Sequence, residues 1–217
     1  MEHLYKTDSW RVFRIMAEFV EGFELLDETD HGVTIFGSAR TKPGSEYYNK
    51  AQELSKRLVE HKYDIITGGG PGIMEAANKG AIEAGGKSVG LNIELPTEQE
   101  INTFVNLSLS FRYFFCRKVM FLRKAFAVVV FPGGYGTLDE MFEVLTLIQT
   151  GKMAEVPVVL VGSGYWKGLM QWIDDQLLGE SSEGIMISPE DKEKFYIEDD
   201  IDRIIERIEK QRPSKLG

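Results

Sequence analysis

The chain has 217 residues, 43% apolar and 27% charged, a composition that suits one folded domain and marks the chain as globular rather than disordered. Asp plus Glu is 34 against 25 Lys plus Arg, a formal charge of −9. That balance argues against a nucleic-acid polymer as partner, because binding to a phosphate backbone needs a basic surface.

The opening MEHLYKTDSW lacks the basic region and apolar run of a signal peptide, and no stretch of about 18 apolar residues could span a membrane. A cytoplasmic protein with no membrane partner is expected. Residues 9–25 read as an amphipathic helix, with Trp10, Phe13, Met16, Val20 and Phe23 at spacings of three and four and Asp8 or Ser9 as N-cap. Its apolar stripe is expected to pack on the domain or on a second subunit. Strands and helices then alternate. VTIF (33–36), YDIIT (63–67), KSVGLNI (87–93), TFVNLSL (103–109), AVVVF (127–131) and VPVVLVG (156–162) read as strands. Residues 46–60, 72–84, 111–125, 137–150, 165–178 and 199–211 read as helices, and 179–193 as the most mobile loop. Runs such as AVVVF are apolar on both faces, as in a sheet covered by helices on both sides. The predicted fold is a three-layer α/β/α Rossmann-like sandwich with a mostly parallel central sheet. One domain is expected over 1–217, with 1–30 as an N-terminal helical extension and 199–211 as a C-terminal helix.

Three strand ends carry glycine-rich turns: FGSAR (36–40), TGGGPGIMEAA (67–77) and FPGGYGTLDE (131–140). In a parallel sheet, ligands bind outside the carboxyl ends of the strands. Glycine brings backbone N–H groups close to a ligand, and a helix N-terminus just downstream adds a positive dipole suited to phosphate. One such turn is ordinarily a tight βα connection; three in one sheet point to a nucleotide-type site. GGGPG is not GxGxxG, and the second strand lacks a terminal acid for a dinucleotide ribose. Neither GxxxxGK[ST] nor GxSxG occurs, which excludes the P-loop and the hydrolase nucleophile elbow. The single cysteine, Cys116, rules out an intrachain disulfide framework and a Cys-rich zinc site. His3, His31 and His61 show no metal-ligand spacing, so neither metal nor cofactor is expected.

The pair GGGPGIMEAAN (68–78) and PGGYGTLDE (132–140) resembles the Lonely Guy (LOG) family over roughly residues 33–178. The signature PGGxGTxxE is complete as Pro132, Gly133, Gly134, Gly136, Thr137 and Glu140. The resemblance implies hydrolysis of the N-glycosidic bond of nucleoside 5′-monophosphates, AMP or cytokinin ribotides, to free base and ribose 5-phosphate. It also implies at least a homodimer, with sites near the subunit interface. An Arg–Lys pair one helix before the signature, here Arg117-Lys118, would supply the second catalytic element. Phe115-Cys116 stands where the short plant-like form has histidine-glutamate, so the chain is similar to the longer subgroup.

Breaking an N-glycosidic bond builds positive charge on the ribose, which a fixed carboxylate stabilises. Glu140 is the candidate, read as lying in the first turn of its helix, where the dipole favours its ionised form. Arg117 is the second catalytic candidate, since its fork suits a phosphate or a pair of ribose hydroxyls. By helical angle Lys118 falls in an apolar stripe of Phe111, Phe114, Phe115 and Leu122, with Arg117 about 100° away; a substrate contact and a snorkelling surface charge both fit Lys118. The phosphate is expected on the N–H groups of Gly134, Gly136 and Thr137 and on the Thr137 hydroxyl, within the turn that Gly133 opens. Gly69, Gly70 and Gly72 would line the opposite side, with Ser38 as a further contact. Glu75 reads equally as a ribose ligand or as an acid starting its helix, and Cys116 as a packed thiol.

Two other functions compete. Molybdenum-cofactor carrier proteins look like this fold, so a non-catalytic nucleotide or phosphate-cofactor carrier stays open. The name "lysine decarboxylase", attached to many relatives, is disfavoured, because no lysine here sits in a recognisable pyridoxal-phosphate context.

Overall fold

A computed structural model describes residues 2–95, 101–179 and 184–211. The chain begins with a long helix, α1 (Glu2–Asp27), and then alternates. Strand β1 (Gly32–Phe36) leads to α2 (Glu46–Glu60), β2 (Asp64–Thr67) to α3 (Ile73–Glu83), and β3 (Ser88–Ile93) to β4 (Leu107–Phe111). Next come α4 (Phe114–Arg123), β5 (Ala125–Val130), α5 (Tyr135–Gln149) and β6 (Val158–Leu160). Helix α6 (Ser163–Trp172) runs on as a π-helical turn over Ile173–Leu178, and α7 (Pro189–Lys192), β7 (Tyr196–Ile197) and α8 (Ile201–Lys210) complete the chain.

Among the described residues the seven strands form one sheet, ordered β4-β3-β2-β1-β5-β6-β7 and parallel throughout. Alternation along the strands divides the core in two. Ala127 and Val129 of β5 pack with Leu54 and Leu58 of α2, Ile73 and Ala77 of α3, and Ile204 and Ile208 of α8. Val128 and Val130 point the other way, onto Met120 and Phe121 of α4, Met141 and Val144 of α5, and Trp166 of α6. Each fully buried valine contributes about 1.5–3 kcal/mol. The predicted three-layer sandwich is therefore the observed one.

The strand order fixes where a site can form. From β1 the chain steps outward through β2, β3 and β4, then α4 carries it back and β5 pairs on the other side of β1. Neighbouring connections diverge at the β1/β5 seam, and such a switch point opens a crevice at the strands' carboxyl ends.

Local readings need correction. Helix α1 runs through Asp8 and Ser9, so neither is an N-cap. Its predicted stripe faces outward, with Trp10 and Phe13 more than 60% exposed. The opposite face, with Glu18, Gly22 and Leu26 buried, packs on α4. The stripe read on α4 is split: Phe114 and Phe115 are exposed, Phe111 is buried but belongs to β4, Leu122 is partly buried, and Cys116, Met120 and Phe121 form the buried face of the helix. Both helices are apolar on two faces, and periodicity cannot tell which face meets the chain's own core. Strand β4 starts at Leu107 rather than residue 103, because the Asn102 and Asn106 side chains bond backbone groups and hold that approach in a turn. The two-residue β7 was too short to read. Of the expected loop 179–193, residues 180–183 lie outside the described residues, and 189–192 form α7 behind a Ser188–Asp191 capping box.

Candidate active site

At the β1/β5 switch point lies a cavity of about 710 Å³. That volume falls within the range of small-ligand sites. Its floor and polar walls come from Ser38 and Arg40 after β1, Gly68 after β2, Arg117 of α4, and Gly134, Gly136, Thr137 and Glu140 around the start of α5. Phe36, Met74, Ile93, Leu95, Phe114 and Phe121 supply apolar walls.

The signature turn builds the anion-facing edge. Gly134 caps α5 without any side-chain hydrogen bond to the first turn. The N–H groups of a helix's first turn have no intrahelical acceptor, so they are available to a ligand and carry the positive end of the dipole. Gly134, Tyr135 and Gly136 are exposed, and Thr137 is buried beneath them. A Cβ on Gly133 would collide with the Thr137 hydroxyl, so Gly133 lets the turn close on that residue rather than lining the cavity.

Helix α5 starts at Tyr135, so Glu140 lies in its second turn, not its first. The expectation that the dipole keeps it ionised fails. Glu140 is 9% exposed, and burial raises its pKa to about 7. The cations Lys118 and Arg117 oppose that rise, and Glu143 and Asp139 reinforce it. A carboxyl half-protonated near neutral pH is suited to proton transfer.

Arg117 is anchored rather than free. Its Nε donates to Leu91 O at 2.7 Å and one Nη to Gly68 O at 3.3 Å, and its guanidinium stacks 4.9 Å from the Phe121 ring centroid. Burial lowers its pKa to about 10, with the Glu140 charge opposing, so it remains a cation at neutral pH. A fork has five N–H donors, which leaves several to face the cavity. Gly68 is what admits it, since a Cβ there would meet the Arg117 Nη2.

Lys118 points elsewhere. Its Nζ lies 2.9 Å from Asp139 and 2.6 Å from Glu143, bridging α4 to α5. Burial would lower its pKa, but these partners and the Glu140 charge raise it overall. It borders Glu140 electrostatically and does not line the cavity. Glu75 also stands apart, accepting a 2.7 Å bond from the Tyr48 hydroxyl. Gly69, Gly70 and Gly72 shape the second turn instead of walling the cavity. Asn102 Nδ2 donates to the carbonyls of Gly69 and Gly70, and Gly69 N–H donates to Thr67 Oγ1. Gly72, at φ +71°, lies against the Ser38 carbonyl with no room for a side chain. The buried Asn78 completes this network, accepting from Thr67 Oγ1 and Asn102 Nδ2 and donating to Ser88 Oγ. Asn78 and Asn102 were not singled out from sequence; an asparagine five residues into a helix behind a glycine turn was the available signal. Ser38 is held by three bonds: its N–H to Pro132 O, its carbonyl from Ile73 N–H, and its Oγ from Arg40 N–H.

Helix α1 secures the helix that carries Arg117. The buried Glu18 carboxylate accepts the N–H groups of Arg112 at 3.0 Å and Tyr113 at 3.3 Å, just ahead of α4. Burial, then Glu18, pushes the Cys116 thiol up to about 11, consistent with a packed and unreactive group.

A Rossmann-type α/β sheet with a buried acid, an anchored arginine and an open helix N-terminus lining a cavity at its switch point defines a candidate small-molecule site. The chain belongs to the LOG family, whose model, described as "Possible lysine decarboxylase", matches residues 74–208. It is 28% identical over 211 residues to "Probable cytokinin riboside 5'-monophosphate phosphoribohydrolase LOGL6" of Oryza sativa subsp. japonica, covering 95% of this chain and 82% of that one. It is 30% identical over 145 residues to the corresponding probable enzyme LOG6 of Arabidopsis thaliana, covering 65% and 72%. Among solved structures, the molybdenum cofactor carrier protein of Chlamydomonas reinhardtii superposes with a TM-score of 0.59 at 24% identity, covering 86% and 99%. The molybdenum cofactor binding protein of Rippkaea orientalis gives 0.59 at 20%, covering 84% and 96%. These two likenesses carry the fold alone.

Proposed function

We propose that the protein is a nucleoside 5′-monophosphate phosphoribohydrolase, cleaving the N-glycosidic bond of AMP or a cytokinin ribotide to free base and ribose 5-phosphate. The observation that carries this reading is the pairing of Glu140 with Arg117 in one cavity below the open α5 N-terminus. The 5′-phosphate lies on the N–H groups of Gly134, Gly136 and Thr137, with the base against the apolar wall. The ionised Glu140 faces C1′ of the ribose and stabilises the oxocarbenium-like transition state; as the C1′–N bond breaks, its electron pair leaves with the base, water bonds to C1′ and gives its proton to Glu140, and the base takes up a proton in return. Arg117 holds the ribose hydroxyls or the phosphate, and with Lys118, the stronger of the two charges, keeps Glu140 partly charged despite burial. Ser38 contacts the same ligand from the β1 side.

The names of the relatives support this reading. The decarboxylase description fits less well. Pyridoxal phosphate is held through a lysine Schiff base, the described lining residues include no lysine, and the Lys118 amine is occupied by two carboxylates. The test is incubation of the pure protein with a panel of nucleoside 5′-monophosphates and chromatography of the products. Adenine and ribose 5-phosphate from AMP, in equal amounts, are expected. Tight nucleotide binding with no base released would reassign the protein as a carrier.

The reading includes at least a homodimer. Trp10, Phe13, Met16 and Val20 of α1, with Phe115 and Val119 of α4, leave an exposed apolar surface on two helices that pack together. A second copy, related by a two-fold axis, would cover it. Sedimentation should give a dimer or larger for the parent and a monomer for a Phe13→Glu/Met16→Glu variant; a monomeric parent would remove this part of the reading.

A further inference from the structure

We propose that Arg40 is the side chain that recognises the anionic end of the ligand, a phosphate monoester, and so sets the preference for a nucleotide over a nucleoside; this deepens the phosphoribohydrolase reading and rests on it. The cations near the cavity differ in what already holds them. Lys118 is neutralised by Asp139 and Glu143. Arg117 spends two donors on the Leu91 and Gly68 carbonyls and sits beside Glu140. Arg40 lines the same cavity, is exposed, and makes no ion pair among the described residues.

Its backbone is nevertheless fixed. Arg40 N–H donates to Ser38 Oγ at 3.1 Å, and Ser38 is bonded on one side to Pro132, at the head of the signature turn, and on the other to Ile73, the first residue of α3. Gly72 packs under the same loop, too close to the Ser38 and Ala39 backbone for any side chain. A loop tied at Ser38 to both the signature turn and the start of α3 carries its arginine to the cavity that Gly134 and Gly136 also line. A phosphate monoester has a charge of about −1.5 to −2 at neutral pH, and in a chain of net charge −9 it needs a local cation as well as helix N–H groups. The guanidinium fork matches two phosphate oxygens, whereas a lysine offers a point charge.

The experiment measures ligand-induced thermal shift and turnover for the parent, Arg40→Ala and Arg40→Lys. Because the loop is held by backbone and Ser38 rather than by the Arg40 side chain, all three should show the same circular dichroism spectrum. Ribose 5-phosphate should stabilise the parent, Arg40→Ala should need at least about tenfold more of it for the same shift, and Arg40→Lys should fall between. In turnover, kcat/KM for AMP should fall at least about tenfold more than kcat/KM for adenosine. Equal shifts in parent and Arg40→Ala, no shift by ribose 5-phosphate in the parent, or equal losses for AMP and adenosine would each overturn the assignment. A parent that releases no base from any monophosphate, yet binds ribose 5-phosphate through Arg40, would sink the hydrolase reading and leave Arg40 as an anion site.

Discussion

Glu140→Gln should lower AMP turnover at pH 8 by at least about a hundredfold, the scale on which one electrostatic group acts in a transition state, and should make the protein more stable at the same pH. Both effects come from the buried carboxyl. The substitution keeps the shape and removes the charge that would face the ribose cation. The folded-state pKa of Glu140 is raised to about 7 from an ordinary 4.5. The folded protein therefore binds a proton that the unfolded chain releases, and the protein loses stability as pH rises from about 4.5 through 7. Glutamine avoids that loss. The variant should match the parent below about pH 4 and exceed it above pH 7 by about 3 kcal/mol. Activity runs the opposite way. The ionised form is the working one, so parental kcat/KM should climb through about pH 7 to a plateau, and the glutamine variant should lack that limb. Turnover near the parental level at pH 8 would sink the role given to Glu140; a melting temperature that differs equally at every pH would show that burial is not what perturbs it.

Arg117→Lys should reduce kcat/KM for AMP at least about tenfold, because one ammonium cannot hold the Leu91 and Gly68 carbonyls and still present a planar fork to the ligand. Gly68→Ala should have the same effect without touching Arg117. The new Cβ would meet the arginine Nη2 and lie 2.8 Å from Met74 Sδ. Both are ends of flexible side chains, so the fold survives while the guanidinium is displaced. Parental kinetics in Gly68→Ala would show that the position of Arg117 does not matter to turnover; parental kinetics in Arg117→Lys would reduce it to a structural cation.

The architecture was legible because the strands are short, apolar and separated by helical periods. Helix α2 falls at 46–60 as read. What escaped the sequence depended on the third dimension. Glu140 was placed by a helix-start argument, yet α5 begins two residues earlier than the apolar pattern suggests, at an exposed tyrosine that reads as part of the turn. Its protonation follows from burial, which a linear pattern does not contain. Helical angle puts Lys118 in the apolar stripe and Arg117 beside it; the folded chain half-buries Arg117, bonded to the carbonyls of Gly68 and Leu91, and bonds Lys118 to Asp139 and Glu143 on α5. The second glycine turn falls where the sequence places it, but of its glycines only Gly68 lines the cavity. The Asn102 side chain that occupies its carbonyls lies 33 residues beyond Gly69, and Asn78, which supports Asn102, bonds in turn to Ser88 on the next strand.

The seam between β1 and β5 also governs when the cavity can exist. Thr34 pairs with Val128 across it, whereas β2, β3 and β4 join β1 outward in chain order. The first half can pair through near neighbours, but the pairing that brings Gly134 and Glu140 over Ser38 and Gly68 requires closing the long segment between, which costs more loop entropy than the near-neighbour pairings. A nascent chain ending before Ala125 would hold the GGGPG turn and no binding site. In the mature protein, parting at this seam would abolish the cavity while each half kept its own hydrogen bonds. A bound nucleotide spanning both lips would oppose that parting by mass action, so the amides of β1 and β5 should be where a ligand most retards hydrogen exchange.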